Sequence, residues 1–570
     1  MIEPRKAQEP EPAPGPVGAL EAVSALVSER RAVAAPLLTA VSELLSGCRS
    51  MPDLVRSSAL PLRAVEALVQ AFGDDLEPCG DGWRLRPDRA PRYRAALRLD
   101  ARTSSNPAAF VVPGIQPLPV DLLALVSDLV ARAPQAKRHL DHVAATPETV
   151  VRRALFLEAG FTLAGGRVLF VGDHDLTSLA LAAVQPDADI TVVDIDDDVL
   201  DHIETSAVAH GWKVRCLFAD LRAALPDAMR GWADLVVTDP PYTRDGVRLF
   251  AARALESLAN AQHGRLVLAY GYGDQPALGA KVEDALQELG LVYEAVHPAF
   301  NRYEGAQAVG SASNLYILRP ARASSRPRGG SAASAVLYTH GTESIEAAHG
   351  DLARATQEAL VEAATASGFG LTDAVGSRWA SGLPEGVNGI ALSERLAPPL
   401  PQPQNRPAPG AAIVDLRHDP GPLLLRVLLA VHAPAVAVLV PNRHPNLAGE
   451  VGQHRLQRSL EAKYRLRYLR SAPTNDLAIV VATRVDGEQL ASGRRAAAML
   501  TERPHSKIRN VLRDALIDAA RRRGDPMTKN EARARLEPML QGVDGDATAM
   551  TLSWNRLDAV MELLSNSRFA

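Results

Sequence analysis

Between residues 147 and 271 the chain alternates two patterns. Short apolar runs at 167–171, 190–196, 214–220, 233–239 and 265–271 lack polar alternation, which predicts strands buried on both faces. Segments 147–160, 197–210 and 246–260 carry apolar residues at helical spacing. Strands alternating with helices predict an α/β fold with a parallel, doubly wound sheet. Such sheets bind ligands beyond the carboxyl ends of their strands. A helix at 275–288 and strands at 291–297 and 314–319 complete a domain spanning 136–320.

The same order recurs further on. AAIVDLRHDPG (411–421) echoes ADLVVTDPPYT, and 435–441 echoes 265–271. A helix at 447–463 and strands at 464–470 and 476–485 follow. The expectation for 335–490 is an α/β region, read as a degenerate second Rossmann-like lobe. It lacks the double proline and, on this reading, a glycine turn, so no chemistry is expected there. Residues 491–570 read as a helical tail, and HSKIRNVLRDALIDAARRRGDP in it has a basic face. Toward the other end, 19–48 has helical periodicity, 57–61 is a turn, 62–72 a helix and 76–86 a hairpin around Gly80-Asp81-Gly82. This is a winged-helix-like pattern, assigned to a domain at 19–135. DNA binding is one reading of it and a packing or dimerisation module the plainer one, since its second helix offers only Arg63 to phosphates, with Arg56 just before it. Residues 1–18 read as a disordered tail and 321–334 as a linker, and 396–410 is a further Pro-rich stretch.

Composition narrows the classes. The 570 residues carry a net charge of -4 and 47% apolar residues, as expected of a soluble multidomain protein. The Pro-rich start is no signal peptide, and no apolar stretch is long enough to span a bilayer. Cys48, Cys79 and Cys216 lie far apart without a CxxC pair, so neither a zinc site nor a disulfide framework is suggested, and a cytoplasmic location fits best.

Four strand ends carry the chemistry. The first gives Gly172-Asp173-His174-Asp175, where a glycine permits close approach of a cofactor. The second ends in Asp194 and Asp196, placed as acids that accept from ribose hydroxyls. The third ends in Asp220, followed by Arg222, and the fourth in Asp239-Pro240-Pro241-Tyr242. No GxGxxG follows the first strand, which disfavours dinucleotide redox chemistry. The order suits an S-adenosyl-type nucleotide on a Rossmann-like, methyltransferase-type sheet: a turn at the amino-acid tail, acids for ribose and for the adenine edge, and an acid at the reacting centre. Asp-Pro-Pro-Tyr resembles the motif of amino-group methyltransferases, in which an acid or amide and a proline carbonyl accept from an NH2 and the aromatic packs on the acceptor. The prolines fix the exit and leave carbonyls that no helix recruits.

Charge and protonation sharpen this. Residues 173–245 hold fourteen Asp and one Glu against five Lys plus Arg, the wrong sign for a nucleic-acid enzyme and a suitable one for a polycation. An alkyl amine has a pKa of about 10.4 and no free lone pair until it loses a proton. Asp173, His174 and Asp175 stand at the adjacent strand end and are candidates for the base.

GDHDLTSLAL, VVDID, ADLR, TDPPYTRDG and FNRYEGAQAVGSASNLYILRP resemble the branched-chain polyamine synthases, the bis-aminopropylspermidine synthases, over about 136–320 and the winged segment. The resemblance implies transfer of aminopropyl groups from decarboxylated S-adenosylmethionine, as co-substrate, to an amine of a polyamine such as spermidine, without a metal. In that family the turn reads Gly-Asp-Asp-Asp; here His174 replaces the middle acid, and either Asp175 remains the base, the favoured reading, or His174 takes the role. Asp239 and Pro240 would hold the amine, Tyr242 would pack on it, and Gly172, Asp173, Asp194, Asp196, Asp220 and Pro241 would frame the donor. An acid such as Asp173 near the tail would repel a donor carboxylate, favouring the decarboxylated donor. Asn301, Arg302 and Tyr303 are expected either as a lip over the site or as a strand-joining turn. A homodimer is expected. The alternatives are an S-adenosylmethionine-dependent amine methyltransferase, or a polyamine-sensing regulator that binds DNA through the winged segment or the basic helix.

Overall fold

The structure, a computed structural model, describes residues 18–101, 118–273, 275–304, 311–321, 352–376, 379, 382–399, 410–418, 423–485, 492–540 and 543–565. The tail at 1–17, most of the 321–334 linker and most of the 396–410 stretch lie outside the described residues. The chain divides into two compact units, Met1–Pro117 with Leu155–Gly166, and Leu118–Ala154 with Arg167–Ala570.

In the first unit, helices Ala19–Arg30, Ala35–Ser46, Met51–Ser58 and Leu62–Phe72 precede an antiparallel hairpin of β1 (Leu76–Cys79) and β2 (Gly82–Leu85). Val65, Leu68 and Phe72, at spacings of three and four, bury one face of the last helix against Leu44 and Leu54. Ser50 caps Met51–Ser58 by accepting from the Asp53 amide. One sequence expectation is corrected here. Cys48 and Cys79 are joined as a disulfide, their Cα atoms 5.9 Å apart. The hairpin, paired to Arg49 through Trp83, brings together cysteines that spacing alone keeps separate.

The second unit contains two sheets. The first comprises β3 (Arg167–Val171), β4 (Asp189–Asp194), β5 (Val214–Phe218), β6 (Leu235–Thr238), β7 (Arg265–Tyr270), β8 (Leu291–Arg302) and β9 (Ala312–Pro320). Their order is β5-β4-β3-β6-β7-β9-β8. The first five are parallel, and β9 runs antiparallel to both β7 and β8. This is the doubly wound, Rossmann-like arrangement. The chain reverses its direction of winding between β3 and β6, where such sheets bind ligands. β6 and β7 are buried along their whole length, which explains their unbroken apolar character.

The second sheet comprises β10 (Leu371–Val375), β11 (Asn388–Ile390), β12 (Ala411–Asp415), β13 (Ala435–Pro441), β14 (Tyr464–Leu469) and β15 (Leu477–Arg484). Its order, β11-β10-β12-β13-β15-β14, is that of the first sheet without β5, with the same senses of pairing. A glycine turn does follow its first strand, correcting the expectation that it is missing. Gly376 adopts φ +131°, and a Cβ there would lie 3.3 Å from the Asp415 side chain. Local detail repeats as well: Arg417 folds back on Asp415 as Arg222 does on Asp220, with Nη2 to carboxylate distances of 2.8 and 2.7 Å.

The two sheets share a buried polar interface. Arg426 is fully buried, lies 4.1 Å over the Phe218 ring, and donates to Ala549 O, Leu552 O and Asp197 Oδ1 at 3.0, 2.8 and 3.1 Å. The Trp554 amide also reaches Asp197, and Ser553 and Arg556 bond to Glu204. The Phe218 amide, at the end of edge strand β5, donates to Thr551 O at 2.6 Å. The basic helix Ile508–Arg522 buries Ile508, Val511, Leu512, Ala515 and Leu516, and so is a packed helix whose polar side is basic. Among the described residues no helix is long and apolar enough to cross a membrane.

Two outcomes follow from this interface. Arg426→Ala strands Asp197 in the interior, and urea unfolding should show a loss of about 3 kcal/mol. Burial and the neighbouring Asp197 carboxylate push Asp201 up to about 7. A carboxyl raised in the folded state weakens the fold as pH climbs from its unfolded value toward 7. Asp201→Asn should therefore raise the urea midpoint at pH 8 and leave it unchanged near pH 4.

Candidate active site

The strand ends place the site. Gly172 follows β3 with φ +74°, and a Cβ there would lie 3.4 Å from the Phe250 ring and 4.0 Å from Asp194 Oδ2. The left-handed backbone conformation favours glycine here, while the space itself would admit a Cβ. A cavity beside it is lined by Gly172, His174, Asp194, Asp220, Asp239 and Pro241, joining all four strand ends singled out in the sequence.

Asp194 ties the turns together. Its carboxylate accepts from the Asp173 amide at 3.0 Å and the Asp196 amide at 2.8 Å, and burial raises its pKa. Asp196 pairs with Lys137 Nζ at 2.6 Å and caps the helix Asp197–His210, while its Oδ2 is buried without a hydrogen-bond partner. His142 Nδ1 lies 3.8 Å from that oxygen, and Asp196 is not among the residues that line the cavity. Asp220 lines the cavity but is bound by Arg222 Nε and Nη2, so it presents an ion pair rather than a bare acid.

Asp173 departs from expectation. Its two oxygens accept from the Thr177 and Ser178 amides at 2.9 and 3.0 Å, which commits it to the start of helix Thr177–Val184. Burial pushes its carboxyl up to about 7 against those two bonds. Its carboxylate is thus engaged at the helix start, and Asp173 is not among the residues lining the cavity, unlike the free tail-facing acid that the sequence suggested.

At the reacting end, Asp239 leaves β6 into the stiff Pro240-Pro241 turn, which the Thr243 amide closes on Pro241 O at 2.8 Å. Asp239 Oδ1 accepts from Tyr242 Oη at 3.0 Å, and Oδ2 from Tyr303 Oη at 2.8 Å. Arg153 completes the cluster. Its Nη2 donates to Asp239 Oδ2 at 2.7 Å, Nη1 to Asp175 Oδ2 at 2.8 Å and Nε to Asn301 Oδ1 at 2.8 Å. Burial raises the Asp239 carboxyl and the nearby Asp175 adds to this, with Arg153 opposing, and the net direction is upward. Asp175 is buried too, but His174 and Arg153 outweigh burial and hold it below the usual carboxylate range. The Ala145 amide takes its other oxygen at 2.8 Å. Held this way, Asp175 is a weak proton acceptor, against the preference for it as the base. Burial works against the His174 imidazolium, yet Asp175 and the Val143 carbonyl outweigh it and raise its pKa. His174 Nε2 lies 2.8 Å from Val143 O, and the ring stacks on His142 at 4.5 Å.

Three residues of this cluster were not read from the strand motifs. Arg153 had a signal: Val150, Arg153, Ala154 and Leu157 share one helix face, so an arginine stands on an apolar stripe. His142 and Lys137 sit in the segment before that helix, outside any pattern. Of the expected lip, Asn301 and Tyr303 are instead buried in the floor, and Arg302 turns back to Ala299 O at 2.5 Å.

Comparison with known proteins adds the lineage. Residues 121–372 match the family model described as branched-chain polyamine synthase A C-terminal domain. An uncharacterized protein of Methanocaldococcus jannaschii is 37% identical over 201 residues, 35% of this chain and 50% of that protein. The N(4)-bis(aminopropyl)spermidine synthase of the same organism is 34% identical over 139 residues, 24% of this chain and 40% of that enzyme. The chain thus spans about half the length of the curated relatives it matches. The crystal structure of the Thermus thermophilus branched-chain polyamine synthase, in complex with N4-aminopropylspermidine and 5'-methylthioadenosine, is 23% identical with a TM-score of 0.34, covering 54% of this chain and 96% of that one. Over residues 121–372, less than half of its length, the chain is thus similar to the branched-chain polyamine synthase family.

Proposed function

We propose that the chain is an aminopropyltransferase, making branched or long-chain polyamines from decarboxylated S-adenosylmethionine and a polyamine such as spermidine. The observation that carries this is Asp239, fixed by Tyr242, Tyr303 and Arg153 at the rim of a cavity that also holds Gly172, Asp194 and Asp220. Asp194, which lines the cavity, holds the ribose hydroxyls with Asp196 beside it in the same turn, and the Asp220–Arg222 pair meets the adenine edge. Asp239 and the Pro240 carbonyl accept the N–H groups of the amine, and Tyr242 fixes Asp239 while its ring borders the amine. Substitution at a sulfonium carbon requires alignment and a free lone pair. Asp175, weak as a base, orients Arg153 and His174, and His174, with its raised pKa, is the better proton acceptor of the two.

The S-adenosylmethionine-dependent methyltransferase reading keeps one observation in its favour. Asp173 is turned to two backbone amides and does not line the cavity, which weakens its repulsion of a donor carboxylate. Donor discrimination decides between them. Incubation of the protein and spermidine with each donor, followed by mass analysis, should give growth by aminopropyl units with the decarboxylated donor alone. Methyl increments would reassign the chain to the methyltransferases.

In the same assay Asp239→Ala should lower kcat by about 100-fold or more, since it removes the acceptor that positions the amine. Tyr242→Phe, which removes one of the bonds to Asp239, should lower it by about tenfold. Equal rates for Asp239→Ala and wild type would rule out this placement of the amine.

A further inference from the structure

Around Asp239 one guanidinium answers two carboxylates, in an acidic stretch of sequence. Asp175 and His174 face it from the turn after β3, Arg153 from helix Pro147–Gly160, Tyr242 from its own turn and Tyr303 from the end of β8. Ser313 of β9 bonds to Tyr303 at 2.8 Å. Arg152 and Arg302, on the same elements, donate to Phe300 O and Ala299 O and are turned to backbone carbonyls. Asp173 and Asp194 are engaged with backbone amides.

An alkyl ammonium docked on a lone carboxylate is stabilised in its charged form, which has no lone pair to give. Here both acids within reach are already paired with one guanidinium, at 2.7 and 2.8 Å. A guanidinium does not release its proton at any working pH, so this compensation is permanent. A cation held beside an amine favours the neutral amine, the device by which one lysine activates another.

We propose that Arg153 shifts the acceptor amine toward its neutral, nucleophilic form: by pairing in advance with both Asp175 and Asp239, it weakens the ion pair they would offer an ammonium while leaving Asp239 able to accept an N–H. This rests on the polyamine reading above and states how that site makes its nucleophile. The bound ammonium gives one proton to His174 and through it to solvent. Its lone pair then forms the C–N bond to the methylene on the sulfonium, the C–S bond breaks, and sulfur keeps the pair as a thioether. The alkylated nitrogen leaves as an ammonium carrying the charge that sulfur lost. Arg153 acts through the two carboxylates and is a positioning residue.

The test is the pH profile of kcat with spermidine and decarboxylated S-adenosylmethionine. In the wild type the alkaline-rising limb should lie below the value of about 10.4 for a free alkyl amine. Arg153→Met should move the limb up by about one pH unit or more, so its deficit shrinks as pH rises. Arg153→Lys, which keeps the charge, should hold the limb in place. Arg153→Met combined with Asp175→Asn removes one charge of each sign, loads the fold less, and should show the same upward move. A second readout needs no turnover: 15N-labelled spermidine bound with methylthioadenosine should titrate below the free amine. A pH-independent loss in both Met variants, or a bound amine that titrates at or above its free value, overturns the proposal and leaves the polyamine reading standing. A wild-type chain that makes no aminopropylated product overturns both.

Discussion

One guanidinium holds the reacting end together. Asp175 and Asp239 stand at the carboxyl ends of adjacent parallel strands, and two buried carboxylates placed so would repel each other strongly. Arg153 lies between them, with bonds of 2.8 and 2.7 Å, and extends the same guanidinium to Asn301 and Tyr303. The helix that carries it is thereby tied to the turn after β3, the exit of β6 and the end of β8 at once. The orientation of Asp239, the hydroxyl contacts of Tyr242 and Tyr303, and the weakened basicity of Asp175 all depend on that charge being in place.

The donor side is built on a different constraint. Asp194 is held by amides of two turns, and the helix that begins at Asp197 starts directly beyond it. The residues that grip that helix start, Arg426 and Trp554, come from the region beyond the family segment. The C-terminal part thus braces the turn bearing Asp194 and Asp196 from behind. Its burial of Arg426 against Phe218 places a costly charge that Asp197 and two backbone carbonyls only partly offset, so the brace depends on the first sheet for its partner.

Much of this was legible in the chain. The apolar runs marked the strands because parallel strands covered on both faces need no polar alternation, and the carboxylates at their ends marked the cavity. What escaped was set by contacts distant in sequence. Arg153 is separated from Asp239 by 86 residues and from Tyr303 by 150, and only its place on an apolar helix face betrayed it. Asp173 looks the same in sequence whether it faces a ligand or caps the next helix, and only the two amide bonds decide. The Cys48–Cys79 pairing required the hairpin to fold back toward Arg49. The Gly376 turn was hidden because 371–375 reads as a half-polar strand rather than an apolar one.

The repeated strand order of the two sheets has a historical consequence. If the second sheet descends from a copy of the first, the strand it has dispensed with, among the described residues, is the counterpart of β5, whose end carries Asp220. It has kept the tight glycine bend, while its Asp415-Leu416-Arg417 elbow stands at the counterpart of β6 and not of β5. A nucleoside laid across the copy would find the bend beneath its tail but nothing to read the edge of its base.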